Sequence, residues 1–431
     1  MVRWIAAITA LATAVTVSTA KPLTGRFIHI TDIHYDPTYK AGTDPKQFCH
    51  RGKQNEDAGD GAGEYGAVNT DCDSPKKLVD LTFEFLKRNL SDVDFVVYTG
   101  DSARHNRDKE NPRTLKDVIS DQEVVVNYFR DAFGSTPVLP VIGNNDVEPH
   151  NNADLNDKQF EAIHNLWQPL NLNMTQDFMK GGFLTHDVIP GKLRTIHTNT
   201  LLFMKKNDKT KDCDKLDSPG WAHMSWIRSV LDDARARKMT VYVLAHVPPN
   251  NRKDKAYFRD ACLEQYYHLL GSYSDVVAAH FAGHYNDDVL TAVLDNNGTY
   301  SHATATPSKK GMKGLQSSQK FVTPVFNSPS IIPDNNPAVR VFEYDLDGKH
   351  GKFGTITNWK QYYLDLGANT DQEKNDMKYD YKVEYDAKEV YKIEAFDGAG
   401  MQKLFETISK DDGVSSKYIE YSTVSTDVDD E

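Results

Sequence analysis

From residue 26 to about residue 345 the chain alternates short, unbroken apolar runs with longer runs whose apolar positions recur at helical spacing. The short runs are Phe27–Ile30, Phe95–Thr99, Val138–Ile142, Thr240–Ala245, Val276–Ala282 and Val339–Tyr344. Apolar runs of this length, without a polar alternate, read as strands buried on both faces. Between them, Leu78, Val79, Phe83, Leu86 and Leu90 share one helical face, and Ser74-Pro75 reads as a cap followed by a first-turn proline. Trp221–Lys238 and Tyr257–Gly271 repeat the helical spacing. Strands alternating with helices predict an α/β layered fold.

The flanks read differently. Residues 42–73, rich in Gly, Asp and Asn, and residues 301–320, rich in Ser, Thr, Lys and Gly, read as loops. Beyond about residue 358 the chain turns polar and Tyr-rich, which predicts a mostly helical region to residue 410. The last segment ends in Asp429-Asp430-Glu431 and is expected to fray. At the other end, Arg3 precedes an apolar run from Trp4 to Val17 and then Ser18-Thr19-Ala20. This is the pattern of a secretory signal cut after Ala20; the alternative is an uncleaved anchor, for which the length of the run is borderline. The expected layout is a signal peptide or signal anchor over 1–20 and a main domain over 21–358. A helical subdomain over 359–410 and a flexible acidic tail over 411–431 complete it.

Composition narrows the class. With 39% hydrophobic residues in a chain of 431, a sizeable core is affordable and global disorder is excluded. A net charge of −12 argues against a dedicated nucleic-acid binder. Cys49, Cys72, Cys213 and Cys262 lack CxxC spacing, so in an exported chain they predict two disulfides rather than a zinc site. Three connectivities are open, and pairing of sequence neighbours, Cys49–Cys72 and Cys213–Cys262, is the expectation. Asn89, Asn173 and Asn297 begin N-glycosylation triplets.

Chemistry gathers at the strand ends. The first run leads into Asp32-Ile-His34, the second into Gly100-Asp101, and the third into Gly143-Asn144-Asn145-Asp146. The fourth leads into His246 and the fifth into Gly283-His284-Tyr-Asn286. Open α/β sheets bind ligands beyond the carboxyl ends of their strands, so these groups are expected to converge. Carboxylate, imidazole and amide groups together make a divalent-metal site, and about seven of them suit two ions.

The order DxH, GD, GNxD, H and GHx resembles the calcineurin-like metallophosphoesterase superfamily over about residues 26–345. The resemblance implies a βαβ sandwich of two mixed sheets flanked by helices, here with a mostly helical carboxyl-terminal appendage. It implies Asp32 and His34 on a first metal, Asp101 bridging, and Asn144, His246 and His284 on a second, the ions being Mn, Mg, Co or Zn. Two positions depart from the family pattern. Asn286 stands where the first metal normally takes another His, which favours harder ions such as Mn²⁺ or Mg²⁺. Asn145 stands where a His normally assists the leaving group, and an amide transfers no proton. That shifts the expectation towards phosphoanhydrides, whose leaving groups are weak bases. His105 is the remaining candidate for an acid or phosphate contact.

Thr31–Pro37, Thr99–His105 and Ala245–Pro249 resemble the acid-sphingomyelinase-like branch, and Gly143–Asn151 with Ser328–Arg340 is similar to the fungal vacuolar endopolyphosphatases. That implies internal cleavage of inorganic polyphosphate by a water or hydroxide between the metals, in a vacuole lumen, on its membrane, or secreted. Arg104, Arg107, Arg252 and Lys253 follow metal motifs and are expected to bind the polyanion, whereas Lys205–Lys211 reads as a solvated loop. The alternative is a sphingomyelinase-like phosphodiesterase acting on a nucleotide or lipid headgroup; residues 1–25 contain no cysteine, so a cysteine-rich lipid-presenting module is not expected there, which disfavours the lipid. A decayed, non-catalytic binder is the third class, against which six retained ligand positions speak.

Overall fold

The computed structural model describes residues 22–52, 61–172, 174–305, 319–367 and 380–426. The signal or anchor segment, Asn173 and the lysines at 309, 310 and 313 lie outside the described residues. The strands in chain order are β1 (Arg26–Ile30), β2 (Tyr35–Asp36), β3 (Ser74–Pro75), β4 (Phe95–Tyr98), β5 (Val138–Pro140), β6 (Leu184–Ile189), β7 (Leu193–His197) and β8 (Thr240–Leu244). There follow β9 (Val277–Ala282), β10 (Val289–Asn296), β11 (Thr299–Thr304), β12 (Lys320–Asn327), β13 (Ala338–Tyr344), β14 (Ile356–Tyr363) and β15 (Lys382–Asp386). One sheet of six runs β15-β14-β13-β1-β4-β5, and one of seven runs β11-β10-β12-β9-β8-β7-β6. Both are mixed: β1, β4 and β5 are parallel, as are β7, β8 and β9, while the outer pairs are mostly antiparallel. The expected α/β sandwich is present.

The two sheets face each other through an aromatic layer. Phe27 stacks between Phe95 at 4.8 Å and Phe342 at 5.2 Å in its own sheet. It meets Phe281 edge-on at 5.3 Å and Tyr242 at 5.7 Å across the interface. Ile28 and Ile30 are buried on the other face, so β1 has no solvent side. That is why the run is apolar throughout. The parallel strands β1, β4, β5, β8 and β9 therefore end at one edge of the sandwich.

Several local expectations change. Ser74 caps nothing: β3 pairs with β2, the Ser74 N–H donates to the His34 carbonyl at 3.0 Å, and the helix Lys76–Phe85 starts without a side-chain cap. The carboxyl-terminal region does carry helices, over Ala387–Tyr391, Gly398–Lys410 and Asp412–Ser422. It also adds β14 and β15 to the first sheet. Up to residue 426 the expected frayed tail is ordered instead. Asp411 caps its helix by accepting from Gly413 and Val414, the Tyr418 hydroxyl donates to the Ala305 carbonyl at 2.7 Å, and Tyr421 stacks on Tyr385 at 4.4 Å. Asn89 and Asn297 are exposed, the latter in the β10–β11 turn.

The disulfides are Cys49–Cys72 and Cys213–Cys262, as the sequence order predicted. Cys49–Cys72 closes the long loop after β2. Chain-entropy arguments put such a closure at about 3 kcal/mol. Beside it, His50 bridges two carboxylates, Nε2 to Asp36 at 2.8 Å and Nδ1 to Asp108 at 2.6 Å, while Arg51 also pairs with Asp108. Both bonds together need an imidazolium. The Asp36 hydrogen bond, against burial and with help from Asp108, raises the His50 pKa.

A raised histidine pKa contributes stability that is full below about pH 6.5, the unfolded value, and is lost as pH rises through the native one. The melting temperature should therefore fall from about pH 6.5 upward, and less steeply in His50→Gln. Parallel pH profiles of the two proteins would remove the clamp from the account.

Candidate metal centre

Each metal-ligand candidate sits two to four residues past a strand, and the backbone there is unusual. Asp32, His34, Asp101, His284 and Asn286 have φ of 50°, 45°, 60°, 75° and 65°. Non-glycine residues in this left-handed region each carry about 1–3 kcal/mol of strain, which surrounding structure must offset. The loops offset it by binding one another. The Asp32 and His34 N–H groups donate to the Gly100 and Asp101 carbonyls at 3.0 Å, and Gly283 donates to the His246 carbonyl at 3.1 Å. Asp146 ties three more: it accepts from the N–H groups of Asp101 (2.9 Å), Ser102 (2.8 Å) and Gly143 (2.9 Å). Gly143 lies so close to Asp101 that a Cβ would collide with its carboxylate and backbone N–H.

Two groups of lone pairs converge, and they share Asp101. On one side, the Nε2 of His34 lies 3.5 Å from Asp32 Oδ1 and 3.4 Å from Asp101 Oδ2. On the other, the Nε2 of His246 lies 3.2 Å from Asp101 Oδ2 and 2.8 Å from Asn144 Oδ1, with His284 close by. The Nδ1 atoms of His34 and His246 donate to the carbonyls of Ala103 (3.1 Å) and Thr99 (2.7 Å). In the neutral ring, the form that binds a cation, that leaves each Nε2 with its lone pair aimed inward. Asn286 donates its amide N–H to Asp334 at 2.7 Å, and its Oδ1 is buried with no hydrogen-bond partner. Acceptors facing acceptors in a buried site fit divalent cations, and the ligand types suit them.

The electrostatics agree. Burial alone would lower His246, but Asp101 and Asp32 raise it to about 9. Burial would raise Asp101, yet His246, His34 and the Asn145 amide hold it well below the usual carboxylate range. A cation would take over the role these imidazoles play towards the carboxylates.

The site opens into a cavity of about 360 Å³, lined by these groups except the deeper His246, together with His105, Arg107, Asn145, His150, Lys206 and Tyr257. Asn145 does not reach outward with its amide group: its N–H and its Nδ2 both donate to Asp101, at 2.7 and 2.8 Å. His105 stacks on His34 at 4.1 Å and is held by Asp73, which accepts from its Nδ1 at 2.6 Å and its backbone N–H at 2.8 Å. Of the expected polyanion contacts, only Arg107 lines the cavity. Arg104 is buried and donates to the carbonyls of His105 and Asn111. Arg252 pairs with Asp287, and Lys253 is exposed outside the cavity.

Three residues were not assigned from the sequence. Asp146 was visible in its motif without a role. Asp73 had no signal beyond its place next to Cys72. His150 follows the third motif, and its Nε2 faces the Asn144 Nδ2 at 2.7 Å, which turns Oδ1 of that amide into the site.

The family model described as calcineurin-like phosphoesterase matches residues 25–285. The chain belongs to this family. Within the matched span lie all the metal-ligand candidates except Asn286, one residue beyond it. An endopolyphosphatase of Cryptococcus neoformans is 31% identical over 79% of this chain and 60% of its own. One of Schizosaccharomyces pombe is 31% identical over 76% of this chain and 63% of its own. The chain thus spans somewhat over half the length of these curated relatives. A solved dimetal phosphatase from Danio rerio aligns over 78% of this chain and 95% of its own at 12% identity, with a TM-score of 0.44.

His150→Ala should weaken divalent-metal binding by roughly 10–100-fold, the usual cost of losing a group that orients a ligand, with the fold intact. Titration calorimetry with Mn²⁺ checks it, and unchanged affinity would show that Asn144 needs no such support.

Proposed function

We propose that this phosphoesterase cleaves internal phosphoanhydride bonds of inorganic polyphosphate. The observation that carries the reading is Asn145. The site keeps its metal-ligand candidates, yet the residue beside Asp101 is an asparagine that donates its backbone N–H and one side-chain amide N–H to that carboxylate and cannot deliver a proton. An alkoxide would need an acid on departure, whereas a phosphate chain leaves as a weak base whose charge needs only stabilisation. The names of the relatives from Cryptococcus neoformans and Schizosaccharomyces pombe support the same substrate.

Asp32, His34 and Asn286 with Asp101 would hold one ion, and Asn144, His246 and His284 with Asp101 the other. The ions, when bound, supply a water of lowered pKa and neutralise phosphoryl oxygens. The amide oxygen of Asn286 favours Mn²⁺ or Mg²⁺. Asn145 keeps the shared carboxylate in one orientation, which is its contribution to catalysis. Asp73 holds the His105 ring so that Nε2 points towards Arg107, 3.4 Å away, where the departing chain would pass. Two disulfides suit an oxidising compartment, which supports a secretory or vacuolar location.

Long-chain polyphosphate incubated with the Mn²⁺-loaded protein should give intermediate lengths on a gel before free phosphate appears. Free phosphate alone would mean cleavage from chain ends. Intact polyphosphate, with turnover of a nucleotide or lipid diester, would replace the reading by the sphingomyelinase-like one. Asn145→His should raise the ratio of phosphodiester to polyphosphate turnover about a hundredfold, the low end of what a positioned acid contributes; an unchanged ratio would count against the leaving-group argument.

A further inference from the structure

A chain of net charge −12 must hold a polyanion with few local cations. Most basic groups near the cavity are consumed inside the fold. Arg113 is buried and donates to the carbonyls of Arg104, Asn145 and Val147, and Arg252 is committed to Asp287. In the expected solvated loop, Lys205 pairs with Asp260 at 2.9 Å and Lys209 with Asp157 at 3.2 Å. Lys206 differs from both: it lines the cavity and makes no ion pair among the described residues.

Its mount is rigid. Met204 bridges to Phe258, and the Lys205 N–H donates to the Tyr257 carbonyl at 2.8 Å. Asn207, fully buried, donates to the carbonyls of Ala153 (2.8 Å) and Leu201 (2.9 Å). The backbone is therefore fixed on both sides of an exposed, unpaired ammonium. Tyr257, whose carbonyl anchors the neighbouring Lys205 N–H, meets the His284 ring edge-on at 5.1 Å, whereas Arg107, the other non-histidine cation lining the cavity, lies beside His105, which stacks on His34. The two cations thus serve different sides of Asp101.

Resting on the polyphosphate reading, we propose that Lys206 is a specificity-determining residue. It binds a phosphate of the chain on the His284 side of the cleaved bond, while Arg107 binds one on the His105 side. A site gripping its substrate on both sides takes a chain by its middle, and one with a single grip would favour an end. Lys206 forms no part of the metal centre; it binds a non-reacting phosphate, so its contribution is to affinity.

The test uses the full Mn²⁺-loaded protein, long-chain polyphosphate, and the variants Lys206→Met and Lys206→Arg. Lys206→Met should raise KM about tenfold, the size of one charge-assisted hydrogen bond, with kcat within about twofold. Its slope of log KM against log salt should fall by roughly 0.7, one phosphate contact on a single-stranded polyanion. Lys206→Arg should restore most of the KM. Unchanged KM and salt slope in Lys206→Met, or a fall in kcat at constant KM, would overturn the assignment while wild-type cleavage still upheld the substrate. Wild-type protein that leaves polyphosphate intact would overturn the substrate and, with it, this role.

Discussion

One buried carboxylate must stay ionised and correctly turned for the site to exist. Asp101 is almost wholly removed from solvent. Burying a charge is costly unless it is paired and hydrogen-bonded. Here the pairing is unusually complete: Asn145 binds both carboxylate oxygens, His34 and His246 aim at one of them, and Asp146 fixes the backbone on which the side chain stands. Because both lone-pair groups share Asp101, any tilt of this carboxylate would be felt on both sides at once.

Strain follows from the same requirement. Metal-ligand candidates on five loops can meet only if several of them leave ordinary backbone conformations, and five non-glycine site residues do so. The strain is held by hydrogen bonds between loops rather than within them, so the loops form one cooperative unit at the edge of the sandwich. The long insertion joins that unit twice. The Cys49–Cys72 disulfide places Asp73 on His105, and His50 ties Asp36, two residues past His34, to Asp108 beyond the Asp101 motif.

The charge balance explains how an acidic protein can still leave free cations at its cavity. Positive charge is mostly spent holding loops together through backbone carbonyls and nearby carboxylates. What remains for a ligand is small in number and placed on rigid backbone, and a narrow cavity gives a few charges greater reach.

The apolar runs ending in Asp, His and Asn were legible because they are local. A parallel strand buried on both faces must be apolar, and its carboxyl end must carry the chemistry, so fold class and ligand candidates followed from the order of residues. β10, β11, β14 and β15 were missed because antiparallel strands towards the sheet margins carry polar positions that hide among loop signals. The roles of Asp73, His150 and Lys206, and the diversion of Arg104 and Arg252 into the fold, belong to the tertiary structure. They depend on which partners lie within about 3 Å, the reach of a hydrogen bond. Asp73 and His105 are 32 residues apart in the chain, and Arg252 and Asp287 are 35 apart. A hydrogen bond decides such pairings in space, where sequence neighbourhood has no say.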